Sequence, residues 1–426
     1  MLTKLDMVIP VELLGLSGVV IQSIYLRNNR ELIIEVKSIK EETLCRNCGR
    51  KCKDHGYDRP MELRHLPMFG YKTFIQISPK RGKCTECDTK QINTTQTLDW
   101  YDRKSRQTKP YEQHLLFALI NSTIADVSRK EEIDEEAIQR ILDKQVETDV
   151  NFDLISVLGI LGIDEISLRK GRKRYVTVIT YCHDDQVRIL KVLEGRHKDT
   201  VLKFFKSIPK RLCCTVSAVC SDLYEGYVNA AKEVFGERVV VADRFHVAKL
   251  YRKKLVDIRK SELKRLKDKL KDEEYKALKP AIAILRKGKD YFSKEEQEIV
   301  NRLFKHSPKL QLAYSFSHRL TTIFNSHITQ SQAKEEFMKW VEDVNSSELK
   351  SRFKNFIETL TKHIEEVSNY FIDRNSSGFV EGFNNKLKVL TRRCYGLKNA
   401  ARFFQRIKLD TEGLNMFRFK SGCVMV

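Results

Sequence analysis

The spacing of apolar and polar positions divides the chain into stretches of different character. In residues 1–40 the one strand-like run is Leu32-Ile33-Ile34-Glu35-Val36. A second, Tyr71-Lys72-Thr73-Phe74-Ile75-Gln76-Ile77, alternates apolar and polar positions as a half-buried strand does. Between residues 109 and 147 the period becomes helical. Leu115, Leu116, Leu119 and Ile120 share one face, and Ile138, Ile141 and Leu142 share another. An α/β pattern follows. Ile160 to Asp164 reads as a buried strand, and Tyr175 to Tyr181 and Val187 to Leu193 as two more around the turn Asp184-Asp185. A helix fits Lys198 to Ser207, a fourth strand Thr215 to Cys220, a helix Gly226 to Phe235 and a fifth strand Arg238 to Ala242. Strand patterns then vanish from about Phe245 to Phe371, as expected of an all-helical insertion, with Pro280 breaking one helix.

This order, three strands, helix, strand, helix, strand, predicts an α/β fold. It is the order of a ribonuclease-H-like sheet, though other α/β folds begin in the same way, and the expected core is interrupted by the helical insertion and completed by a helix around Glu381. The expected organisation is a zinc-binding module over 1–98, a helix-turn-helix-like segment over 99–152, the first part of the core over 153–248, the insertion over 249–371, and the second part of the core with a C-terminal tail over 372–426.

Charge narrows the choice of partner. Of 426 residues, 78 are Lys or Arg and 57 Asp or Glu, a formal net charge of +21 that favours a polyanion, and nucleic acid above all. The longest apolar run, Ile155 to Ile163, is too short for a bilayer, and the N-terminus lacks the pattern of a secretory signal. A protein of the bacterial cytoplasm, associated with the nucleoid and not with a membrane, is expected. Eleven cysteines include the pairs Cys45-Arg46-Asn47-Cys48 and Cys84-Thr85-Glu86-Cys87. Two matched pairs suit four thiolates around a structural Zn²⁺, with Cys52 and His55 as possible substitutes and His65 a weaker one. Lys80, Arg81 and Lys83 beside the second pair are placed to meet phosphate, whereas Cys182, Cys213, Cys214 and Cys220 read as small core residues.

Cutting a phosphodiester with two Mg²⁺ or Mn²⁺ ions requires carboxylates that converge on a small space. Asp164 ends the first core strand and Asp222 follows the fourth, which lies beside it in this strand order. Glu381 falls in the first turns of a helix that Ser376 or Ser377 can cap. Asp243, also at a strand end, rivals Asp222; alternatively it and His246, with Asn384 and Asn385, support the ligands or touch DNA. Turn and cap roles are the ordinary use of such aspartates, and Asp184 and Asp185 fit them. The basic run from Lys249 to Lys271 offers Lys253, Lys254, Arg259 and Lys260 to phosphate, and Lys386, Lys388, Arg392 and Arg393 flank Glu381. In the helical segment, a reading helix starting near Asp134 carries Glu135 and Glu136 at its entrance, a poor fit to a DNA groove, and Glu131-Glu132 occupies the turn.

Several stretches together resemble the transposases of the ISL-three group of bacterial insertion sequences. They are Gly162-Ile163-Asp164-Glu165, Ser221 to Tyr227, Val241 to Val247 and, most distinctive, Val380-Glu381-Gly382-Phe383-Asn384-Asn385-Lys386-Leu387-Lys388 followed by Arg392-Arg393-Cys394-Tyr395-Gly396. The likeness covers about residues 40–415, departing at Ser377, where the family often has Asn. It implies a DDE transposase with Asp164, Asp222 and Glu381 as the triad, a zinc-binding segment and a helix-turn-helix. Such an enzyme binds the double-stranded terminal inverted repeats of its element, exposes 3′ hydroxyls, and joins them to target DNA as a homodimer or higher oligomer. The rival readings are a catalytically inactive zinc-dependent DNA-binding regulator derived from a transposase, and a nuclease or resolvase of the same fold that cuts without joining.

Overall fold

The computed structural model describes residues 2–87, 92–168, 175–286, 292–376, 378–397 and 399–417; the side chains of Ile92, Val380 and Glu381 lie outside that description. Two compact units result, one of residues 1–147 with 405–426 and one of residues 148–404.

The first unit contains strands β1 Leu2–Lys4, β2 Val19–Arg27, β3 Glu31–Ser38, β4 Lys53–Tyr57, β5 Met61–Met68, β6 Tyr71–Ile77, β7 Lys80–Cys84 and β8 Ile92–Thr95. They form a five-stranded sheet in the order β1-β2-β3-β6-β5 and a three-stranded sheet in the order β4-β7-β8. Two strands foreseen from alternation, β3 and β6, pair in parallel at the heart of the larger sheet. One face of that sheet is closed by Ile24, Leu32, Ile34, Leu63 and Ile75 with Leu14 and Trp100. Helices α1 Lys109–Leu119, α2 Ile124–Glu131 and α3 Glu135–Gln145 follow, with Thr108 and Thr123 capping the first two through side chains that accept from Tyr111 and Asp126 amides. Asp134 precedes α3 without a side-chain cap, and Glu132 stands in the left-handed region at φ 51°. A bulky acid in that conformation marks a tight turn.

The second unit holds strands β9 Gly159–Ser167, β10 Tyr175–His183, β11 Gln186–Glu194, β12 Val216–Ser221 and β13 Val240–Ala242, in the sheet order β11-β10-β9-β12-β13. The β9–β10–β11 meander is antiparallel, and β12 and β13 run parallel to β9. Asp184 and Asp185 both take positive φ, 50° and 57°, forming the two-residue turn foreseen between β10 and β11. Helices α4 Lys198–Ser207, α5 Lys210–Cys213 and α6 Glu225–Phe235 intervene. Val201, Phe204, Phe205, Tyr227, Val228 and Ala231 bury one face of the sheet against Leu161, Ile163, Ile179 and Val219.

From Arg244 to Asp373 all regular structure among the described residues is helical: α7 Arg244–Lys269, α8 Asp272–Leu278, α9 Ala281–Ile284, α10 Lys294–His306, α11 Pro308–Asn325, α12 Gln330–Asn345, α13 Lys350–Lys362 and α14 Ile364–Asp373. Phe316, Trp340, Phe353 and Phe356 stack edge-on in its core, and the other face of the sheet, through Ala218, Cys220, Val241 and Ala242, joins the same core. Asn369 fastens α14 to the sheet edge by donating to the carbonyls of Glu237 at 3.1 Å and Val240 at 2.8 Å. Two helices close the chain, α15 Gly378–Arg393 and α16 Ala400–Phe417. From Gln405 onward α16 belongs to the first unit, where Leu409 and Phe417 pack with Tyr111, Leu115 and Ile138. No helix among the described residues is long and apolar enough to cross a membrane.

Candidate active site and metal-binding cysteines

The strand register brings three aspartates to one level. Gly162 pairs with Cys220, and Cys220 with Val241, in parallel strands. Two residues further on lie Asp164, Asp222 and Asp243, one on each of three neighbouring chains about 4.8 Å apart. β9 does not end at Asp164, as the sequence suggests, but runs to Ser167. Its pairing with β12 stops at Gly162, whereas β10 continues to Ser167. Asp164 is therefore exposed to the site because its neighbour strand ends, although its own does not.

Each carboxylate has a distinct environment. Asp164 accepts from the Glu165 amide at 2.6 Å and from the Asn384 side chain. Asp222 accepts from the Tyr224 amide at 3.1 Å. Asp243, only 3% exposed, caps α7 through the Phe245 amide at 2.9 Å and holds His246 Nδ1 at 2.9 Å. Burial pushes Asp164 and Asp222 above the ordinary carboxylate range; backbone donors and His246 act against it, while the nearby carboxylates reinforce it. A divalent cation placed between two such carboxylates would offset the cost that burial puts on their charge. Asp243 is already committed to the cap and the imidazole, which leaves Asp164 and Asp222 as the freer pair.

His246 is raised above its ordinary value, chiefly by its hydrogen bond to Asp243, with burial opposing. A raised histidine adds stability fully present below its unfolded value, and the gain is lost as pH rises through the folded value. Melting temperature measured against pH should accordingly show wild type falling relative to His246→Gln above about pH 6.5. A difference that stays flat from pH 6 to 9 would remove the Asp243 pairing from the account.

Helix α15 packs against β9 and β11. Phe383, Leu387 and Leu390 point inward, and Asn384 is 3% exposed with its carbonyl oxygen lacking a partner among the described residues. Glu381 lies one turn earlier on this helix, at i−3 from Asn384, and its side chain is outside the described residues. Ser377 also lies outside them; Ser376 Oγ accepts from the Gly378 amide at 3.4 Å. Asn385, Lys386, Lys388 and Arg392 are exposed and Arg393 is half-buried. On α7, Lys253 and Lys260 are exposed and Lys254 half-buried, but Arg259 departs from expectation. It is 8% exposed and donates to the Ile282 carbonyl at 3.0 Å, because it falls on the face shared with Ile258 and Leu266.

In the first unit the four knuckle cysteines meet. Ligand atoms of Cys45, Cys48, Cys84 and Cys87 all lie within 4.8 Å of one another. Sulfur separations are 3.7 Å for Cys45–Cys87, 3.6 Å for Cys48–Cys84 and 3.7 Å for Cys84–Cys87. A tetrahedron with Zn–S bonds of about 2.3 Å has edges of about 3.8 Å, so the donor set fits that ion. Backbone amides of Cys48 and Asn47 lower the Cys45 thiol to about 6, favouring the thiolate a metal needs. Cys52 packs beneath the cluster, its thiol raised by burial, and Gly82 must lack a side chain because a Cβ there would lie 2.5 Å from Cys52 Cβ. His55 is exposed on β4; His65 is buried on β5 against Thr108 at 2.8 Å, and burial lowers it to about 4. Lys80, Arg81 and Lys83 are half-buried along β7. Of the other cysteines, Cys220 is buried, Cys182 and Cys213 are intermediate, and Cys214 is exposed, contrary to its reading as core.

Helices α2 and α3 line a cleft of about 1180 Å³ whose opposite wall is the segment Asp102 to Gln107. Lys144 on α3 is engaged by Asp102 and by Glu112, whereas Arg103, Lys104 and Arg106 are exposed with no acidic partner among the described residues.

Comparisons with known proteins converge. The chain is 23% identical over 385 residues to a transposase for insertion sequence element IS1001 from Bordetella parapertussis, covering 90% of this chain and 92% of the relative. It is 21% identical over 382 residues to a transposase for insertion sequence element IS1557 from Mycobacterium tuberculosis, covering 83% and 82%. Among solved structures, a Drosophila P element transposase strand transfer complex aligns with 74% of this chain and 94% of its own at 10% identity, with a TM-score of 0.40. Residues 96–146 match the helix-turn-helix domain of transposase family ISL3. Residues 161–407, more than half of the chain and including both aspartates of the pair and the whole of α15, match the transposase profile of the same family, and the protein therefore belongs to the ISL3 transposases.

Proposed function

We propose that the protein is the transposase of a bacterial insertion sequence, which cuts its element's ends and joins them to target DNA in one ribonuclease-H-like site. The observation that carries this reading is the shared level of Asp164 and Asp222 on adjacent parallel strands, beside the helix that holds Glu381. Asp164, Asp222 and Glu381 are the metal ligands in this reading. Two Mg²⁺ ions bound there would activate a water or a 3′ hydroxyl and stabilise the leaving oxygen. Asn384 orients Asp164 through its amide, and its carbonyl oxygen, which meets no donor among the described residues, is available to a bound water. Asp243 fixes His246 at the edge of the site. The cysteine tetrad holds Zn²⁺ as a structural ion. The helix-turn-helix binds the terminal inverted repeats, with Arg103, Lys104 and Arg106 supplying backbone contacts that the acidic entrance of α3 cannot. Lys253, Lys254, Lys260, Lys386, Lys388, Arg392 and Arg393 are assigned to DNA nearer the scissile bond, in a dimer or larger assembly on paired ends.

The test is strand transfer. Full-length protein is incubated in Mg²⁺ with pre-cut duplexes carrying the inverted-repeat ends that bracket its gene, plus supercoiled target plasmid. Joined products in which the end's 3′ hydroxyl is covalently linked to target are expected. Cutting without joining would support the nuclease reading. Tight end-binding with neither reaction would support the regulator.

A further inference from the structure

The first turns of α7 carry a surface of which the proposed reaction so far uses only Lys253. Phe245, its second residue, is 53% exposed although its backbone amide is locked to Asp243 at 2.9 Å. Phe245, Lys249, Arg252, Lys253 and Val256 line one shallow groove of about 450 Å³. Their spacing of 4, 7, 8 and 11 residues from Phe245 places them on a single stripe of the helix. The stripe has three cations, none with an acidic partner among the described residues, and two apolar side chains. A cationic rim alone would suit phosphates. A large ring left half in water at its end needs another explanation, because a solvated helix face gains nothing from phenylalanine.

Position supplies it. His246, the next residue, interacts with Asp243, Asp164 and Asp222. A Cβ built at Gly378, the first residue of α15, would lie 3.6 Å from Phe245 Cε2. The ring thus sits where the helix of Glu381 begins, between the carboxylates and the cationic stripe. Every nucleobase has a face that stacks on an aromatic ring, and such platforms beside cations are how single strands are held. Taking a base out of the duplex also opens the backbone to a site that could not otherwise reach it.

We infer that this groove holds the DNA strand next to the scissile phosphate, and that Phe245 stacks on one base unpaired from the duplex there. The inference rests on the proposed transposase reading and adds a local melting step to it. Charge complementarity selects a polyanion as occupant, and the ring selects a nucleic acid strand over a bare anionic surface.

The test compares two substrates with full-length protein in Mg²⁺: a fully paired element end, and the same end with the bases flanking the mapped cut mismatched. Phe245→Ala should cut the paired end about 10- to 100-fold more slowly, in keeping with the usual worth of one stacked base. It should return to within a few-fold of wild type on the mismatched end, and Phe245→Trp should retain activity on both. Lys249→Ala with Lys253→Ala should weaken binding to both substrates alike and reduce the salt dependence of log K by roughly 2. Equal deficits of Phe245→Ala on the two substrates, or no deficit on either, would overturn the proposal. Asp164→Asn run alongside separates the two readings: if it still cuts the mismatched end, the assignment of the carboxylates is wrong, whatever Phe245 does.

Discussion

Asp164→Asn should abolish end cleavage and strand transfer, a drop of at least ~10³-fold, while leaving binding to inverted-repeat DNA intact. Losing a ligand of two catalytic cations removes several kcal/mol of stabilisation at the attacking and leaving oxygens, and each ~1.4 kcal/mol is tenfold. The same substitution should not weaken the fold. Burial together with neighbouring carboxylates holds Asp164 above its ordinary value. A carboxyl group raised in the folded state favours folding when protonated, and that advantage disappears as pH rises through the folded value. Above that pH the metal-free wild type carries a strained charge that the neutral amide lacks. Asp164→Asn is therefore expected to melt at or above wild type without metal, with a margin that widens with pH. Divalent cation should reverse the order. At a hundred times its Kd, a bound ion stabilises by about 2.7 kcal/mol, several degrees for wild type and little for the variant. Scanning calorimetry with and without Mg²⁺ reads both effects. A variant that cuts normally, or that gains as much from Mg²⁺ as wild type, would dismiss Asp164 as a ligand.

Cys84→Ser should have the largest effect on stability, and only locally. The three-stranded sheet of the knuckle module has Cys45, Cys52 and Cys84 as its buried cluster, with Cys87 packed against it, too small an apolar core to order the segment. Apparent zinc-binding energies of about 10–16 kcal/mol in small zinc modules are then folding energy. Wild type should carry one zinc per chain, and Cys84→Ser, or wild type dialysed against a chelator, should carry none. Limited proteolysis should then cut in the two knuckle segments, around Cys45 to Tyr57 and Lys80 to Cys87, while the larger sheet, closed by its own core of Ile34, Leu63 and Ile75, resists. Metal analysis by mass spectrometry and peptide mapping decide the matter. Full zinc content in the variant would mean that another donor replaces Cys84, Cys52 being the nearest candidate.

Much of the catalytic unit is legible in residue order because its signals are local. Buried β-branched runs, a two-residue acidic turn and amphipathic helices fix β9 to β13 and the helices α4 and α6 to within a few residues, whereas the single turn of α5 goes unread. Asp222 and Asp243, each just past a strand end, then mark the level of the candidate site. Features that depend on partners distant in sequence are hidden. Asp164 lies inside β9 because of where β12 stops. Arg259 belongs to a basic run, yet it faces inward because Ile282 offers a carbonyl across the bundle. Strand β2 escapes notice because a register shift between Ile21 and Ser23 breaks its alternation. The hydrogen bond from Asn384 to Asp164 spans 220 residues, and Asn384 could be foreseen only as a side chain one turn beyond Glu381. The cysteine tetrad was legible because paired knuckles carry their own spacing rule.

Arg406, 3% exposed, donates to the carbonyls of Leu119 at 3.1 Å and Ser122 at 2.6 Å, and Asp410 accepts from the Asn121 amide at 3.0 Å. The end of α1 is thus sealed by residues made long after it. A ribosome that has just released the helix-turn-helix has produced a bundle still missing one wall, which arrives only after some 260 further residues have been synthesised. Fragments cut short before α16 would consequently emerge with their helix-turn-helix part unfinished and prey to proteolysis.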